Sequence, residues 1–325
     1  MAFRLKLVPD HTEFDFFRWQ WLTVGISAAM MLASVVLLLL NGLNFGIDFK
    51  GGTTIRTEST QAVDVGAYRE ALQPLGLGDV AITEVFDPTF GPEQNVAQVR
   101  ISAQEGTEAV TPETIAAVEA ALQEVDSSIT FPSVESVGPK VSGELIQTAI
   151  YAVLVSLAAI SVYIWLRFEW QFAVGAIVSL AHDVLVTMGV FALFQIKFDL
   201  TTIAALLTIV GYSINDTVVV FDRLRENLMK YKQRPLRDLM NLSVNETLSR
   251  TVMTSGTTLV ALIALLVLGG DVIRGFVFAI TFGILIGTYS SVYVAKNVVL
   301  WLGVKRDWSK KTKDDASPFS GAEAP

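Results

Sequence analysis

The chain has 325 residues, a mean hydropathy of +0.50 and only 17% charged residues, which is too apolar for an ordinary soluble domain. It contains no cysteine, which excludes a disulfide framework, a thiolate metal site and a cysteine nucleophile. The net charge is −8, and the two histidines lack the H-x-x-x-H spacing of a metal hydrolase. This composition predicts several membrane spans together with a water-facing part.

Six apolar stretches are long enough to cross a bilayer as helices, which takes about 20 residues. They are predicted at 21–41, 145–166, 171–194, 199–222, 251–270 and 275–302. The first is too long for the apolar core of a signal peptide and follows acidic residues, so we interpret it as an uncleaved anchor. The last contains Gly283 and Gly287, whose Gly-x-x-x-Gly spacing suits close helix packing.

Basic side chains cluster on one side of the predicted spans. The clusters lie at residues 4–18, at Arg167, at 223–237 in the loop after the fourth span, and at 305–313. Because cytoplasmic segments carry an excess of Lys and Arg, this pattern predicts that both termini are cytoplasmic. The N-terminus comprises residues 1–20, and the charged tail, 303–325, is predicted to be disordered.

Residues 42–142 form the one large segment on the opposite side and are predicted to face outward. This segment has five basic residues against fifteen acidic ones, a net charge of −10, which argues against a nucleic-acid partner. Sequence patterns predict strands and helices in the order βαββαβ, at 53–58, 64–76, 80–86, 95–102, 111–125 and 129–137. That order predicts a ferredoxin-like α/β domain.

Asp216 is the foremost charge within a predicted span, in "VGYSINDTVVVFDRLREN" (210–227). A charge at the centre of a membrane helix costs about 2.5–3.5 kcal/mol on insertion scales, so its presence needs a reason. Tyr212 and Ser213 share its helical face and are expected to hydrogen-bond it, and Asn215 adds polarity beside it. Intramembrane acids mark proton or ion pathways by default.

Arg250 opens the predicted fifth span in "RTVMTSGTTL" (250–259), and Thr254 and Thr257 continue its face as a hydroxyl stripe. Its depth should match that of Asp216, so an acid–arginine pair across neighbouring helices is geometrically possible. Such a pair can act as a proton switch, because helix movement changes the balance between burial and the arginine charge. The alternatives are a static bridge between helices, or an arginine that snorkels to the lipid headgroups.

Three further intramembrane charges need an explanation. His182 and Asp183 lie near the middle of the third span, either on a proton or water route or as satisfied polar contacts. Adjacent helical residues point about 100° apart, so these two need not pair, and Ser179 is expected to bond Asp183 instead. Lys296 is expected to snorkel to the cytoplasmic interface.

"NFGIDFKGGT" (44–53) follows the first span directly. Gly46, Gly51 and Gly52 permit backbone conformations denied to other residues, whereas Asp48 requires water or a hydrogen-bond donor. We interpret this string as the exit from the membrane into the first strand of the outward domain, with Asp48 in a structural turn.

Four strings together closely resemble the SecF proteins of the SecD/SecF family. They are "FGIDFKGGT", "LAHDVLVTMG", "GYSINDTVVVFDRLREN" and "RTVMTSGTTL", and the resemblance covers about residues 15–305. It implies a multi-pass protein of the bacterial inner membrane, with six spans forming half of a resistance-nodulation-division-type bundle and with a periplasmic ferredoxin-like domain. It also implies late-stage export of unfolded preproteins, driven by the proton-motive force.

The same resemblance implies partners and site residues. The partners are SecD, which supplies the matching half, the SecYEG translocon and YajC; protons are the coupling ion, and neither a cofactor nor a metal is implied. The proton-pathway acid falls on Asp216 and its partner arginine on Arg250. Further candidates along the pathway are His182, Asp183, Ser213, Asn215 and Thr254.

Other functions remain open on the residues alone. A passive scaffold that stabilises SecD and the translocon could keep Asp216 and Arg250 as a structural bridge. Half of a proton-coupled exporter of small molecules or lipids would need a second six-span half. An intramembrane hydrolase is not predicted, because the sequence has no Gly-x-Ser-x-Gly, H-E-x-x-H or paired intramembrane Asp signature.

Overall fold

The computed structural model describes residues 9, 12–85, 87, 90–91, 93–102 and 110–304. Most of the predicted tail and the first residues of the predicted cytoplasmic N-terminus lie outside this described part. Within it, six helices are long and apolar enough to cross a membrane. The prediction of a polytopic helical membrane protein is therefore confirmed.

The first half of the chain contains one membrane helix and a small α/β unit. Its elements are α1 (Gln20–Leu40), β1 (Asn44–Phe45), α2 (Ile47–Lys50), β2 (Gly52–Ser59), α3 (Val65–Leu72), β3 (Val80–Val85), β4 (Asn95–Ser102), α4 (Pro112–Val125) and β5 (Thr130–Val137). Side-chain caps start both helices of the α/β unit: Asp64 accepts from the backbone of Gly66 and Ala67, and Thr111 accepts from that of Thr114.

Four of these strands form one antiparallel sheet in the order β3-β4-β2-β5. Strands β2 and β3 therefore flank β4, the arrangement of a split βαβ unit. Helices α3 and α4 cover one face of the sheet, where Ile55 of β2 packs with Tyr68, Leu72, Val118 and Leu122. This core gives the unit its own buried centre outside the membrane helices.

The second half of the chain supplies the remaining membrane helices. They are α5 (Pro139–Arg167), α6 (Trp170–Phe194), the short strand β6 (Lys197–Phe198), α7 (Leu200–Lys230), α8 (Leu236–Leu268), α9 (Asp271–Ser290), a π-helical turn (Ser291–Ala295) and α10 (Lys296–Leu302). Helix α9, the π-helical turn and α10 run on as one span. Helices α6 and α7 form the buried centre, whereas α1, α5 and α8 expose most of their apolar surface. Helix α7 thus packs against α6, α8 and α9, and any buried charge that it carries lies at the centre of the bundle.

The predicted basic loop after the fourth span is wrong. Helix α7 continues to Lys230 and α8 begins at Leu236, so only a short turn joins them. Buried Leu224, Leu228 and Leu239 continue the apolar helical face beyond the membrane-like stretch. A hydropathy window detects where the composition becomes polar, which is not where these two helices end.

The helical hairpin formed by α7 and α8 also changes the position of Arg250. Arg223 of α7 contacts Glu246 of α8 at 2.7 Å, and Asn227 donates to Ser243 at 2.9 Å. These contacts hold the first turns of α8 against α7. Arg250 therefore lies well inside α8 rather than at its start, and its place at the opening of the fifth membrane span stays a prediction.

Candidate functional site

Asp216 is buried on α7 where that helix meets α8, with 3% of its surface exposed. The hydroxyls of Thr251 and Ser255 on α8 lie close enough to interact with its carboxyl, and the Arg250 guanidinium acts on it electrostatically. Among the described residues, Asp216 Oδ2 has no hydrogen-bond partner, and no ion pair within 4.0 Å joins Asp216 to Arg250. The acid and the arginine are neighbours that do not form a closed bridge.

The surroundings of Asp216 differ from the prediction on α7 itself. Ser213 donates to Asp183 at 2.6 Å, and the Tyr212 hydroxyl lies 3.2 Å from that of Thr258. The prediction that these two side chains bond Asp216 is therefore wrong. Tyr212 and Ser213 lie four and three positions before Asp216, on the same broad face of α7. Within that face, however, Ser213 is turned toward α6 and α9, whereas Asp216 is turned toward α8.

Asn215, Arg250 and Thr254 occupy the rim of this site. Asn215 and Arg250 are exposed on the surface of the chain, although both lie on membrane helices. Thr254 is half-buried and donates to the backbone carbonyl of Thr251 at 3.1 Å. The rim therefore presents an amide and a guanidinium outward from the bundle.

Asp183 is fully buried on α6 and is held by side chains from three helices. Its Oδ2 accepts from Ser213 of α7 at 2.6 Å and from Ser290 of α9 at 2.7 Å. Its Oδ1 lies 3.0 Å from Nδ1 of His182, so the expectation that these neighbours need not pair gives way to a direct contact. Ser179 donates to Ser290 at 2.9 Å, and its predicted bond to Asp183 is wrong. We call Ser179, His182, Asp183, Ser213 and Ser290 the Asp183 network.

Tyr289 links the neighbourhood of His182 to α1. Its ring centre lies 6.2 Å from that of His182, and its hydroxyl donates to the Thr23 carbonyl at 2.9 Å. The same hydroxyl lies 2.9 Å from Oγ of Ser27. In the described structure, Nε2 of His182 is buried without a hydrogen-bond partner. Side-chain contacts thus run from α1 through Tyr289 to the His182 ring, and hydrogen bonds continue from Asp183 to α7.

Close helix contacts at glycines hold the Asp183 network together. A methyl group added at Gly283 of α9 would lie 2.3 Å from Ile209, and one at Gly287 would lie 3.0 Å from Ser213. Gly189 of α6 faces Ser34 of α1 just as closely, at 2.2 Å. The predicted role of the Gly283–Gly287 pair in close packing is confirmed, and it brings Ser213 against α9.

Sequence reasoning missed Ser290, Thr251 and Ser255. The adjacent hydroxyls Ser290 and Ser291 interrupt an apolar span, and that interruption was a usable signal. Thr251 and Ser255 are spaced four residues apart and share a helical face, which is a second usable signal.

The exit turn, residues 44–53, is bonded to the start of α7. The Gly46 N–H donates to the Phe198 carbonyl at 2.8 Å, and Asp48 Oδ2 accepts from the Leu200 N–H at 3.0 Å. Gly51 and Gly52 have φ values of +70° and +122°, which side-chain-bearing residues rarely adopt. The turn interpreted as structural thus has a defined bond to a membrane helix.

Lys296 is 1% exposed, so the expected snorkelling to the interface is wrong. Its Nζ donates to the Phe16 carbonyl at 3.2 Å and lies 4.1 Å from the ring centre of Phe17 and 5.1 Å from that of Tyr293. The segment before α1 covers the lysine, and Asn245 fixes that segment through two bonds of 2.9 Å to the Phe14 backbone. A hydropathy scan has no means of detecting such a cover.

Among the residues that the structure describes, no three His, Cys, Asp or Glu side chains lie close enough together to hold a metal ion. The geometry instead places Asp216, a carboxyl with one unpartnered oxygen, beside an arginine, and it places Asp183 nearby with partners at both carboxyl oxygens.

Family models match two regions of the chain. The model described as "Protein export membrane protein SecD/SecF, C-terminal" matches residues 117–305, and the one described as "SecD/SecF GG Motif" matches residues 36–63. The second region contains the exit turn, and the first contains Asp216, Asp183 and Arg250.

Relatives named protein translocase subunit SecF match along almost their whole length. The protein from Cereibacter sphaeroides is 69% identical, with 100% of both chains covered. That from Rhodobacter capsulatus is 64% identical over 99% of both chains, and that from Rickettsia rickettsii is 39% identical over 94% of this chain and 97% of its own.

A solved structure shows the same architecture. A crystal structure of SecDF from Thermus thermophilus, described as a translocon-associated membrane protein, is 37% identical with a TM-score of 0.81. The match covers 91% of this chain but only 39% of the SecDF chain. The chain belongs to the SecD/SecF family of protein-export membrane proteins and is of the SecF type.

Proposed function

We propose that the chain is the SecF half of a proton-driven complex that completes the export of unfolded preproteins across the bacterial inner membrane. SecD supplies the other half of a resistance-nodulation-division-type bundle, and the SecYEG translocon and YajC are neighbours. The similarity to SecDF chains, of which this chain spans 39%, supports the pairing with SecD.

The observation that carries the proposal is the incomplete pairing of Asp216. A buried charged group is stable only with partners, and one oxygen of this carboxyl has none in the described structure. In general, a neighbouring arginine favours an ionised carboxylate, whereas removal from water favours the protonated acid. A small relative movement of α7 and α8 therefore changes which form is stable, which is what a proton-coupled motor requires.

The exposed rim of the site supports the need for a second half. Asn215 and Arg250 face outward from membrane helices, where contact with lipid is costly for an amide and a guanidinium. A partner bundle that covers α7 and α8 would shield them. We propose that SecD covers this face.

We propose that residues 52–137 form a ferredoxin-like domain on the periplasmic side, with both chain termini in the cytoplasm. The sheet order β3-β4-β2-β5 with two helices on one face supports the fold. The acidic charge of this segment and the basic charge at the opposite end of the helices support the orientation. The domain would grip the emerging preprotein through exposed apolar surface or a strand edge.

The available energy is sufficient for this cycle. One charge moved through 100 mV releases about 2.3 kcal/mol, enough to bias two positions of a domain that differ by a few kcal/mol. Protonation of Asp216 would loosen its attraction to Arg250, allow α7 and α8 to shift, and move the outward domain.

The test replaces Asp216 with Asn in membranes that contain the SecD partner and a translocating preprotein. Asp222→Asn is the matched control, because Asp222 lies on the same helix but is 44% exposed and pairs with Arg167 at 2.8 Å. Completion of translocation is followed with and without a proton gradient, at equal levels of assembled complex.

The two outcomes separate the motor from the scaffold. The proposal expects the benefit of the gradient to disappear in Asp216→Asn and to persist in Asp222→Asn. If the gradient still helps Asp216→Asn as it helps the native complex, Asp216 is a packing contact and the scaffold function is favoured.

A further inference from the structure

The exit turn joins the outward domain to the membrane helix that carries Asp216. Strand β1 pairs in parallel with β6, which directly precedes α7. Asp48 then accepts from the first backbone N–H of α7, that of Leu200, at 3.0 Å. Strand β2 of the outward domain begins at Gly52, only four residues after Asp48. Strand pairing therefore joins the base of the domain to the segment before α7, and the Asp48 side chain adds a bond to the first N–H of α7 itself.

The return path of the chain from the domain meets the same turn. Ser142, in the first turn of α5, donates to the Ile47 carbonyl at 3.4 Å, and α2 packs against α5. Both chain connections between the domain and the membrane are thus held at the exit turn. A movement of this turn displaces both connections together.

Helix α7 is a suitable rod to transmit that movement. It is continuous from Leu200 to Lys230, and Asp216 lies about 24 Å along it from Leu200 at 1.5 Å per residue. Rigid secondary elements are one carrier of coupling between distant sites, so we expect a shift at Asp216 to reach the first turn of α7. In the exit turn, Asp48 is the residue whose side chain binds the first turn of α7.

We propose that Asp48 is a positioning residue that couples displacement of α7 to displacement of the outward domain. The proposal rests on the proton-driven function proposed above, because Asp216 supplies the displacement. Asp199 provides the contrast: it caps the same helix end by accepting from the Thr202 N–H at 3.0 Å, but it belongs to the segment leading into α7. Loss of Asp199 weakens the cap without separating α7 from the domain.

The bond can be removed from either side. Asp48→Leu removes the acceptor, and Leu200→Pro removes the N–H donor. Proline is tolerated at the first position of a helix, and Asp199 before it is already extended, with φ −131° and ψ −176°. Asp48→Asn keeps a side-chain acceptor, whereas Asp199→Ala removes the local cap and the 3.9 Å ion pair to Lys197 but leaves the Asp48 bond in place.

The absence of cysteine from the chain allows unique spin labels. One is attached at Ala120→Cys on α4 and one at Val272→Cys on α9, both exposed positions. The full chain is assembled with a cysteine-free SecD partner, and the distance distribution between labels is measured by electron–electron double resonance. Each variant is measured with native Asp216 and with Asp216→Asn, which mimics the protonated acid.

We expect Asp216→Asn to shift the distance distribution in the native, Asp48→Asn and Asp199→Ala backgrounds. The shift should be lost in both Asp48→Leu and Leu200→Pro.

If either of these two retains the shift, the Asp48 bond is not the coupling element, and the inference is overturned while the proton-driven function stands. If Asp199→Ala abolishes the shift as fully as Asp48→Leu, capping alone explains the effect, and the inference also fails. If Asp216→Asn causes no shift even in the native background, the proton-driven displacement itself is refuted, and this inference with it.

Discussion

The two sides of α7 hold buried carboxyls with opposite degrees of hydrogen bonding. Toward α6 and α9, Asp183 accepts from Ser213 and Ser290 and contacts His182. Toward α8, Asp216 keeps one oxygen without a partner in the described structure. A buried carboxyl with partners at both oxygens makes its surroundings rigid, whereas one with an unpartnered oxygen leaves alternative arrangements close in energy.

The packing of α7 also differs between the side that faces α9 and the side that faces α8. On the α9 side, Gly283 and Gly287 bring the helix backbones together at Ile209 and Ser213. On the α8 side, the contact is made by small hydroxyl side chains and, farther along, by polar bonds of the helical hairpin. The comparison predicts that α7 and α9 move as one body and that the adjustable contact is the one between α7 and α8 around Asp216.

The largest effect should separate the two acids by stability. Asp183→Asn should lower the free energy of unfolding by about 1–3 kcal/mol, because an amide nitrogen replaces one of the two carboxylate oxygens and cannot accept a hydrogen bond. Asp216→Asn should cost much less, because no comparable set of donors is left unpaired. Heat-induced unfolding of the detergent-solubilised complex measures both. Equal destabilisation by the two substitutions would contradict the distinction between the two sides of α7.

Much of the fold could be predicted because membrane spans and amphipathic strands leave strong periodic patterns. The six spans and the order of elements in 42–142 depend on composition and short-range spacing, which a single sequence contains. The continuation of α7 past Asp222 could not be predicted by hydropathy, since Leu224 and Leu228 are buried by α8 and its neighbours rather than by lipid.

Residues of the candidate site could be predicted only where the energetic cost of placing a charge in the membrane draws attention to a residue. That cost indicates Asp216, Asp183 and Lys296 as residues that need partners, but the partners depend on helix rotation. A helical face is broad enough that Ser213 was assigned to Asp216, although it bonds Asp183. The bond from Asp48 to Leu200 joins residues about 150 positions apart and has no local signal.

A second effect of similar size should test whether α7 and α9 form one body. Gly283→Ala should lower the free energy of unfolding by about 1–3 kcal/mol, because its methyl group would lie 2.3 Å from Ile209. Gly256→Ala on α8 is the matched control: no atom lies within 4 Å of its added methyl group, and alanine favours a helix by up to about 1 kcal/mol over glycine. The same unfolding assay applies. If both substitutions stabilise the protein equally, the close α7–α9 contact does not contribute to its rigidity.

The smallest effect concerns Asp126, a carboxyl bonded as fully as Asp183 but outside the membrane. The Ser59 hydroxyl and the Ser128 backbone N–H hold the pKa of Asp126 below its ordinary value of 3.8. Because this pKa is lower in the folded state than in the unfolded chain, the stabilisation is complete above the ordinary pKa. It is lost as the pH falls through the lower folded-state pKa.

Ser59→Ala should therefore move the acid-induced loosening of β2 and β5 to a higher pH and leave stability near pH 7 less changed than Asp183→Asn does. Ser133→Ala is the control, because Ser133 lies on β5 and contacts Glu135 rather than Asp126. Hydrogen–deuterium exchange of residues 52–59 and 130–137, corrected for the intrinsic effect of pH, measures the shift. An unchanged pH dependence in Ser59→Ala would show that the hydroxyl does not favour the ionised acid. The expected shift would show that hydroxyl donors hold a carboxylate firmly in this protein, which is the property that distinguishes Asp183 from Asp216.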